Sequence, residues 1–218
     1  MSKEAPFEAL VTDVDRTILD TRAFIFEAFR HTLQNYKLPS ITQEDLDPLM
    51  GKPLEECYAF IAPHSNPFEL AETHRSFQDA HLGLSTPFPH TKQTIWQLHT
   101  EGLKIAAVTT RSQRSSAKTL ELAGLMPFIE TVVSKEDVDP HELKPHPKPI
   151  LLALERLKVA PERAISMGDT NEDIVSGKSA GTKTIGVTYG AAGQYIKESN
   201  PDYVVDDIKE IVSILLPS

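Results

Sequence analysis

Residues 7–21 read Phe7-Glu8-Ala9-Leu10-Val11-Thr12-Asp13-Val14-Asp15-Arg16-Thr17-Ile18-Leu19-Asp20-Thr21. A short apolar run that stops at a polar turn is the pattern of a buried strand. Here the run Phe7 to Thr12 stops at two aspartates separated by one residue. Five further runs of the same kind follow, at Leu103 to Thr109, Thr131 to Ser134, Ala164 to Met167, Thr184 to Val187 and Tyr203 to Val205. Segments with helical spacing fill the gaps, and strands alternating with helices predict an α/β fold with a parallel sheet. The punctuation agrees. Gly124 follows the segment Ala117 to Ala123, Gly181 follows a segment containing Ile174 and Val175, and Pro161 opens the turn before the fourth run. Glycine commonly ends helices in this way because it enters the left-handed region without a Cβ clash.

One interval breaks the alternation. From Thr21 to Thr86 no strand-like run occurs, and Ile25, Ala28, Phe29, Leu33 and Tyr36 recur at helical spacing along one face. This predicts an inserted helical domain over residues 21–86, with residues 1–20 and 87–218 forming the sheet domain. Pro87 and Pro89 stiffen the return segment Leu84 to His90. Trp96, on the helix leading to the second run, is expected in the core.

Composition narrows the function classes. The chain has 218 residues, with 22 Lys and Arg against 31 Asp and Glu, for a net charge of −9. A general nucleic-acid binder needs a basic face to displace counterions from phosphates, so nucleic acid is not an expected partner. Cys57 is the single cysteine and cannot form an internal disulfide. The opening Met-Ser-Lys-Glu-Ala-Pro lacks an apolar stretch, and Ile211 to Leu216 is far short of the roughly 18 apolar residues of a membrane span. The expectation is a cytoplasmic protein with no membrane role, monomeric or homodimeric.

The chemistry-bearing residues gather where predicted strands end. Asp13 and Asp15 leave the first strand, at the sheet edge where open α/β folds bind ligands. One could attack and the other move protons, although two solvated carboxylates in a loop would read the same. After the second run comes Val108-Thr109-Thr110-Arg111-Ser112, whose hydroxyls at a helix start could bind an anion or simply cap the helix. Lys144 lies in Leu143-Lys144-Pro145-His146-Pro147-Lys148-Pro149-Ile150, before the helix predicted from Ile150 to Leu157, and could neutralise a phosphoryl oxygen as a point charge. The fourth run delivers Met167-Gly168-Asp169-Thr170-Asn171-Glu172-Asp173, whose acids suit Mg²⁺ or, in the case of Asp173, a helix start.

Asp-x-Asp, Thr, Lys and Gly-Asp-x-x-x-Asp in this order resemble the four motifs of the haloacid dehalogenase superfamily of phosphohydrolases. Lys144-Pro-His-Pro, Ala180-Gly-Thr-Lys-Thr-Ile-Gly-Val and Pro201-Asp-Tyr-Val-Val-Asp are similar to its phosphoglycolate-phosphatase-like branch. The resemblance implies a Rossmann-like three-layer core carrying a helical cap domain. It implies that Asp13 is the nucleophile forming an aspartyl-phosphate and that Asp15 is the acid and base. Mg²⁺ would be held by Asp13, Asp169 and the backbone carbonyl of Asp15, with Asp173 supporting the shell through water. Thr109, the backbone of Thr110 and Lys144 would hold the transferring oxygens. Met50-Gly51-Lys52-Pro53 is similar to the loop that this branch presents to the substrate, so Lys52 could contact the distal part of the substrate, the alternative being a solvated Lys in a capping turn.

One residue departs from the family pattern, because Arg16 stands where the family has Gly. The expectation is ordinary backbone angles, with the side chain toward solvent or the inserted domain. The competing reading sends the guanidinium to a second anionic group of the substrate. His64, His74, His81 and His99 lack metal-ligand spacing and are read as surface or packing residues. The expected activity is a Mg²⁺-dependent phosphatase acting on a small phosphorylated metabolite. Inorganic pyrophosphatase and β-phosphoglucomutase-like activities are the alternatives on the same fold, and a catalytically weak phosphoryl-binding or protein-interaction module is the alternative of another class.

Overall fold

The computed structural model describes residues 7–46, 49 and 52–216. The chain divides into two compact units, Met1–Asp20 with Thr86–Ser218, and Thr21–Ser85. The first is built on a six-stranded parallel sheet. Its strands are β1 (Ala9–Thr12), β4 (Lys104–Val108), β5 (Thr131–Val133), β6 (Ala164–Gly168), β7 (Lys183–Val187) and β8 (Tyr203–Val205), in spatial order β5-β4-β1-β6-β7-β8. All six stand where the apolar runs predict them, within two residues at each end. The short strands β2 (Leu19–Asp20) and β3 (Thr86–Pro87) pair antiparallel where the chain leaves and re-enters this unit.

Both faces of the sheet are covered, which is why its strands are apolar throughout rather than alternating with polar residues. Leu10 of β1 with Ile105 and Ala107 of β4 packs toward Ile95 and Leu98 of α5 (Thr91–Thr100) and Leu120 of α6 (Gln113–Leu122). The alternate residues Ala9, Val11, Ala106 and Val108 pack toward Ile150, Ala153, Leu154 and Leu157 of α7 (Lys148–Leu157). The period of two along each strand thus feeds two separate cores. On β6, Ser166 breaks the apolar run, and its hydroxyl accepts from Thr182 at 3.0 Å. Trp96 corrects the sequence expectation. The buried face of α5 is Thr91, Thr94, Ile95 and Leu98, spaced three and four apart, so Trp96 falls on the outer face and is 53% exposed.

The second unit is helical, with α1 (Arg22–Asn35), α2 (Gln43–Leu46), α3 (Leu54–Ile61) and α4 (Pro67–Ala80). Phe29, Leu33, Tyr58, Leu70 and Ala71 form its core. Tyr36 does not join the predicted apolar face. It lies just past the end of α1, exposed, with its hydroxyl 3.2 Å from Thr73 Oγ1 on α4. His74 is a packing residue. It is buried against Phe29, and its Nδ1 lies 2.9 Å from the Tyr58 hydroxyl. Burial lowers its pKa to about 3, so the ring is neutral and accepts the phenolic proton.

Among the described residues no helix is long and apolar enough to cross a membrane.

Candidate active site

The order β5-β4-β1-β6-β7-β8 reverses direction beside β1, because the chain builds outward to β5 and then returns to place β6 on the other side. Such a reversal leaves a crevice at the carboxyl ends of the strands. Register brings the motifs level there. Thr12 pairs with Ala107 of β4 and with Met167 of β6, so the residues that follow, Asp13, Thr109 and Asp169, emerge at one edge. The Asp13 amide donates to Met167 O at 2.8 Å, continuing the ladder and fixing the first acid.

Lys144 reaches this edge from the loop before α7. Its Nζ donates to Asp13 Oδ1 at 2.6 Å, to Asp173 Oδ1 at 2.6 Å and to Val108 O at 3.3 Å. The ammonium therefore spends its protons on fixed acceptors and is held as a point charge. Burial works to lower its pKa, but Asp13 and Asp173 prevail and raise it above the ordinary lysine range. Burial pushes the Asp13 carboxyl up to about 7 even with Lys144 beside it. Burial likewise raises Asp169 well above the usual carboxylate range, with Asp13 and Asp173 adding to the effect.

Three buried acids forced together against their own solvation are a fitting cradle for a cation. Carboxylate oxygens of Asp13, Asp169 and Asp173 all lie within 4.8 Å of one another. An all-oxygen, anionic donor set suits a hard divalent ion. Asp173 is also the N-terminal acid of α8 (Asn171–Ala180). Thr170 and Asp173 form a capping box, in which Asp173 Oδ2 accepts from the Thr170 amide at 3.1 Å and from its hydroxyl at 2.6 Å. Asp173 thus starts its helix and also stands among the three grouped acids.

Asp15 takes a different direction. Its carboxylate accepts two parallel bonds from Arg111, Nη2 to Oδ1 at 2.6 Å and Nε to Oδ2 at 2.7 Å. The Asp15 side chain is therefore outside the group of three acids. Thr109 is buried, and its hydroxyl accepts from the Arg111 amide at 3.1 Å, while Thr110 is exposed. The cap of α6 is Ser112, which accepts from the Ser115 amide at 3.2 Å, so Thr109 is not spent on capping. Lys52 belongs to the helical unit and is exposed there, while its neighbours Met50 and Gly51 lie outside the described residues.

Arg16 overturns the expectation of ordinary angles and a solvent-directed side chain. Its φ is +63°, and the residue is 5% exposed. The left-handed backbone that the family's glycine would adopt freely is kept here despite a side chain, at a cost of roughly 1–2 kcal/mol. The guanidinium turns inward, and Nη2 donates to Gly190 O at 2.9 Å.

Sequence reasoning missed three other contributors. Thr17 donates toward Asp13 Oδ2 at 3.0 Å and Asp169 Oδ1 at 3.1 Å, bridging two of the acids. Gly190 follows β7, where a Cβ would sit 2.1 Å from the Cβ of Asp169, and the next residue, Ala191, donates its amide to Asp169 Oδ2 at 2.6 Å. Arg111 is the third. A glycine three residues past a predicted strand was a legible signal for the second, but nothing in the local sequence pointed Arg111 toward Asp15.

Comparison with known proteins agrees with this architecture. The family model described as haloacid dehalogenase-like hydrolase matches residues 10–187. The chain is 35% identical over 208 residues to "Pyrophosphatase PpaX" of Anoxybacillus flavithermus, covering 94% of this chain and 95% of that one. It shares its fold with a haloacid dehalogenase-like hydrolase of Streptococcus pneumoniae (TM-score 0.86, 23% identity, 96% and 98% of the two chains). It also shares it with a predicted phosphoglycolate phosphatase of Haemophilus somnus (TM-score 0.89, 21% identity, 97% and 99%). With motifs, topology and family match in agreement over most of its length, the chain belongs to the haloacid dehalogenase-like hydrolases.

Proposed function

We propose that this protein is a Mg²⁺-dependent phosphohydrolase that removes a phosphoryl group from a small compound through a covalent intermediate on Asp13. The observation that carries the reading is the placement of Asp13 at the end of a central strand, 2.6 Å from Lys144 and grouped with Asp169 and Asp173.

In the first half-reaction an Asp13 oxygen forms a bond to phosphorus while the bond to the leaving oxygen breaks, and Asp15 supplies the proton that the leaving group needs. In the second, water attacks phosphorus, Asp15 takes the proton from water, and the Asp13–phosphorus bond breaks to restore the carboxylate. One displacement is thereby split into two easier ones. Lys144, Thr109 and the amide of Thr110 hold the phosphoryl oxygens, where positioning and charge supply most of the catalysis. Asp13 and Asp169, with the backbone carbonyl of Asp15, would hold Mg²⁺, and Asp173 would support them through water. The ion supplies positive charge that keeps the crowded acids ionised and offsets the charge of the phosphoryl group.

A second reading within this mechanism is hydrolysis of inorganic pyrophosphate. The favouring observation is the 35% identity, over nearly the whole of both chains, to a relative that bears the name pyrophosphatase. The test measures phosphate release with Mg²⁺ from p-nitrophenyl phosphate, phosphoglycolate, pyrophosphate and sugar phosphates, beside Asp13→Asn. Activity on at least one substrate that vanishes in the variant is expected. Release that survives in Asp13→Asn would overturn the mechanism.

A further inference from the structure

Two acids two residues apart on one loop are held by two different cations. Asp13 is bound by Lys144, whereas Asp15 is gripped by the Nε and Nη2 edge of the Arg111 guanidinium at 2.7 and 2.6 Å. Arg111 is itself well anchored. Its amide donates to Thr109 Oγ1 at 3.1 Å, and Nη1 donates to the buried hydroxyl of Thr119 on α6 at 3.0 Å. The Arg111 side chain is 10% exposed against 27% for Asp15, so the better-buried partner sets the geometry and the acid follows it.

A bidentate fork fixes the plane as well as the position of a carboxylate, which a single ammonium cannot do. For an acid that must hand over and take back a proton at a defined oxygen, that plane matters, because proton transfer requires hydrogen-bond reach and alignment. Thr109 and Arg111 also join two tasks on one loop. The hydroxyl proposed to hold a phosphoryl oxygen accepts from the amide of the residue that orients Asp15.

We propose that Arg111 is a positioning residue that holds the Asp15 carboxylate in line for its proton transfers. The proposal rests on Asp15 being the acid and base. Arg111 keeps its own protons throughout and exchanges none with substrate.

The experiment is a double-mutant cycle read with p-nitrophenyl phosphate and Mg²⁺, in which kcat, KM and melting temperature are measured for wild type, Arg111→Met, Arg111→Lys, Asp15→Asn and Asp15→Asn/Arg111→Met. Orientation of an acid–base group contributes on the order of 10²-fold, so Arg111→Met should lower kcat by about that factor with KM nearly unchanged. Arg111→Lys, which keeps the charge and loses the fork, should fall between. In the Asp15→Asn background the same Arg111→Met change should have almost no further effect, since the group it positions is already disabled. Equal losses in both backgrounds, a raised KM at unchanged kcat, or full kcat in Arg111→Met would each overturn the proposal. Should Arg111→Met fail to fold, the Arg111→Lys variant carries the same cycle. An Asp15→Asn enzyme with undiminished kcat would instead refute the acid–base role of Asp15, and is distinguished because that variant is measured by itself.

Discussion

Replacing Asp13 with Asn should abolish activity and yet stabilise the metal-free protein. In the folded state the Asp13 carboxyl is raised from 3.8 to about 7, chiefly by burial. A carboxyl raised in this way binds more protons folded than unfolded between about pH 4 and 7. Its contribution to stability therefore declines as pH rises through that window and is fully lost above it. Each tenfold gain in proton affinity is worth about 1.4 kcal/mol, so carrying this charge costs roughly 4 kcal/mol at about pH 8. Asn removes that cost. The pull of Lys144 on the carboxylate is already contained in that value of about 7, and in the variant Lys144 keeps Asp173 at 2.6 Å. The gain is about 4 kcal/mol, which for a chain of 218 residues is a rise in Tm of roughly 8–16 °C. Thermal unfolding at about pH 8 in EDTA gives this number directly. Adding excess Mg²⁺ should raise the Tm of wild type and raise that of Asp13→Asn less, because a cation stabilises only the state that binds it. A metal-free Asp13→Asn protein less stable than wild type, or equal stabilisation of both by Mg²⁺, would refute the reasoning.

Three further outcomes follow from the same geometry. Gly190→Ala would place a Cβ 2.1 Å from Asp169 Cβ, so the variant should lose the Tm increase produced by Mg²⁺ together with most activity. Arg16→Ala and Arg16→Gly both lose the bond to Gly190 O, but only glycine relieves the φ of +63°. Chemical denaturation should therefore find Arg16→Gly about 1 kcal/mol more stable than Arg16→Ala, and equal stabilities would contradict the backbone assignment. His74, lowered from 6.5 to about 3, binds fewer protons folded than unfolded. Its contribution is present above about pH 6.5 and is lost as pH falls toward 3, by up to about 5 kcal/mol. A stability–pH curve for His74→Phe should be flatter than that of wild type across this window.

The aspartates of the proposed site were legible because Asp13 and Asp169 each directly follow a strand, where local pattern and site geometry coincide. Asp13, Lys144 and Asp169 needed only a predicted strand or a proline-stiffened loop to be placed. Arg16 was misjudged for the opposite reason. Its inward turn depends on the carbonyl of Gly190, 174 positions away, and no local pattern contains that acceptor. Trp96 was misjudged because residue type was weighed above phase. Thr91, Thr94, Ile95 and Leu98 already define the inner face of their helix, and Trp96 does not fall on it.

The amino-acid order by itself determined the α/β class, the strand positions, the helical insertion and the acids that gather at one edge, since all of these follow from hydrophobic period and local punctuation. Only the tertiary structure decided which cation serves which acid. Lys144 lies 131 positions from Asp13 and Arg111 lies 96 from Asp15, and the sheet order that closes both separations is a property of packing. The direction in which a long charged side chain turns is set by the partners it finds there, and those partners exist only once the fold has formed.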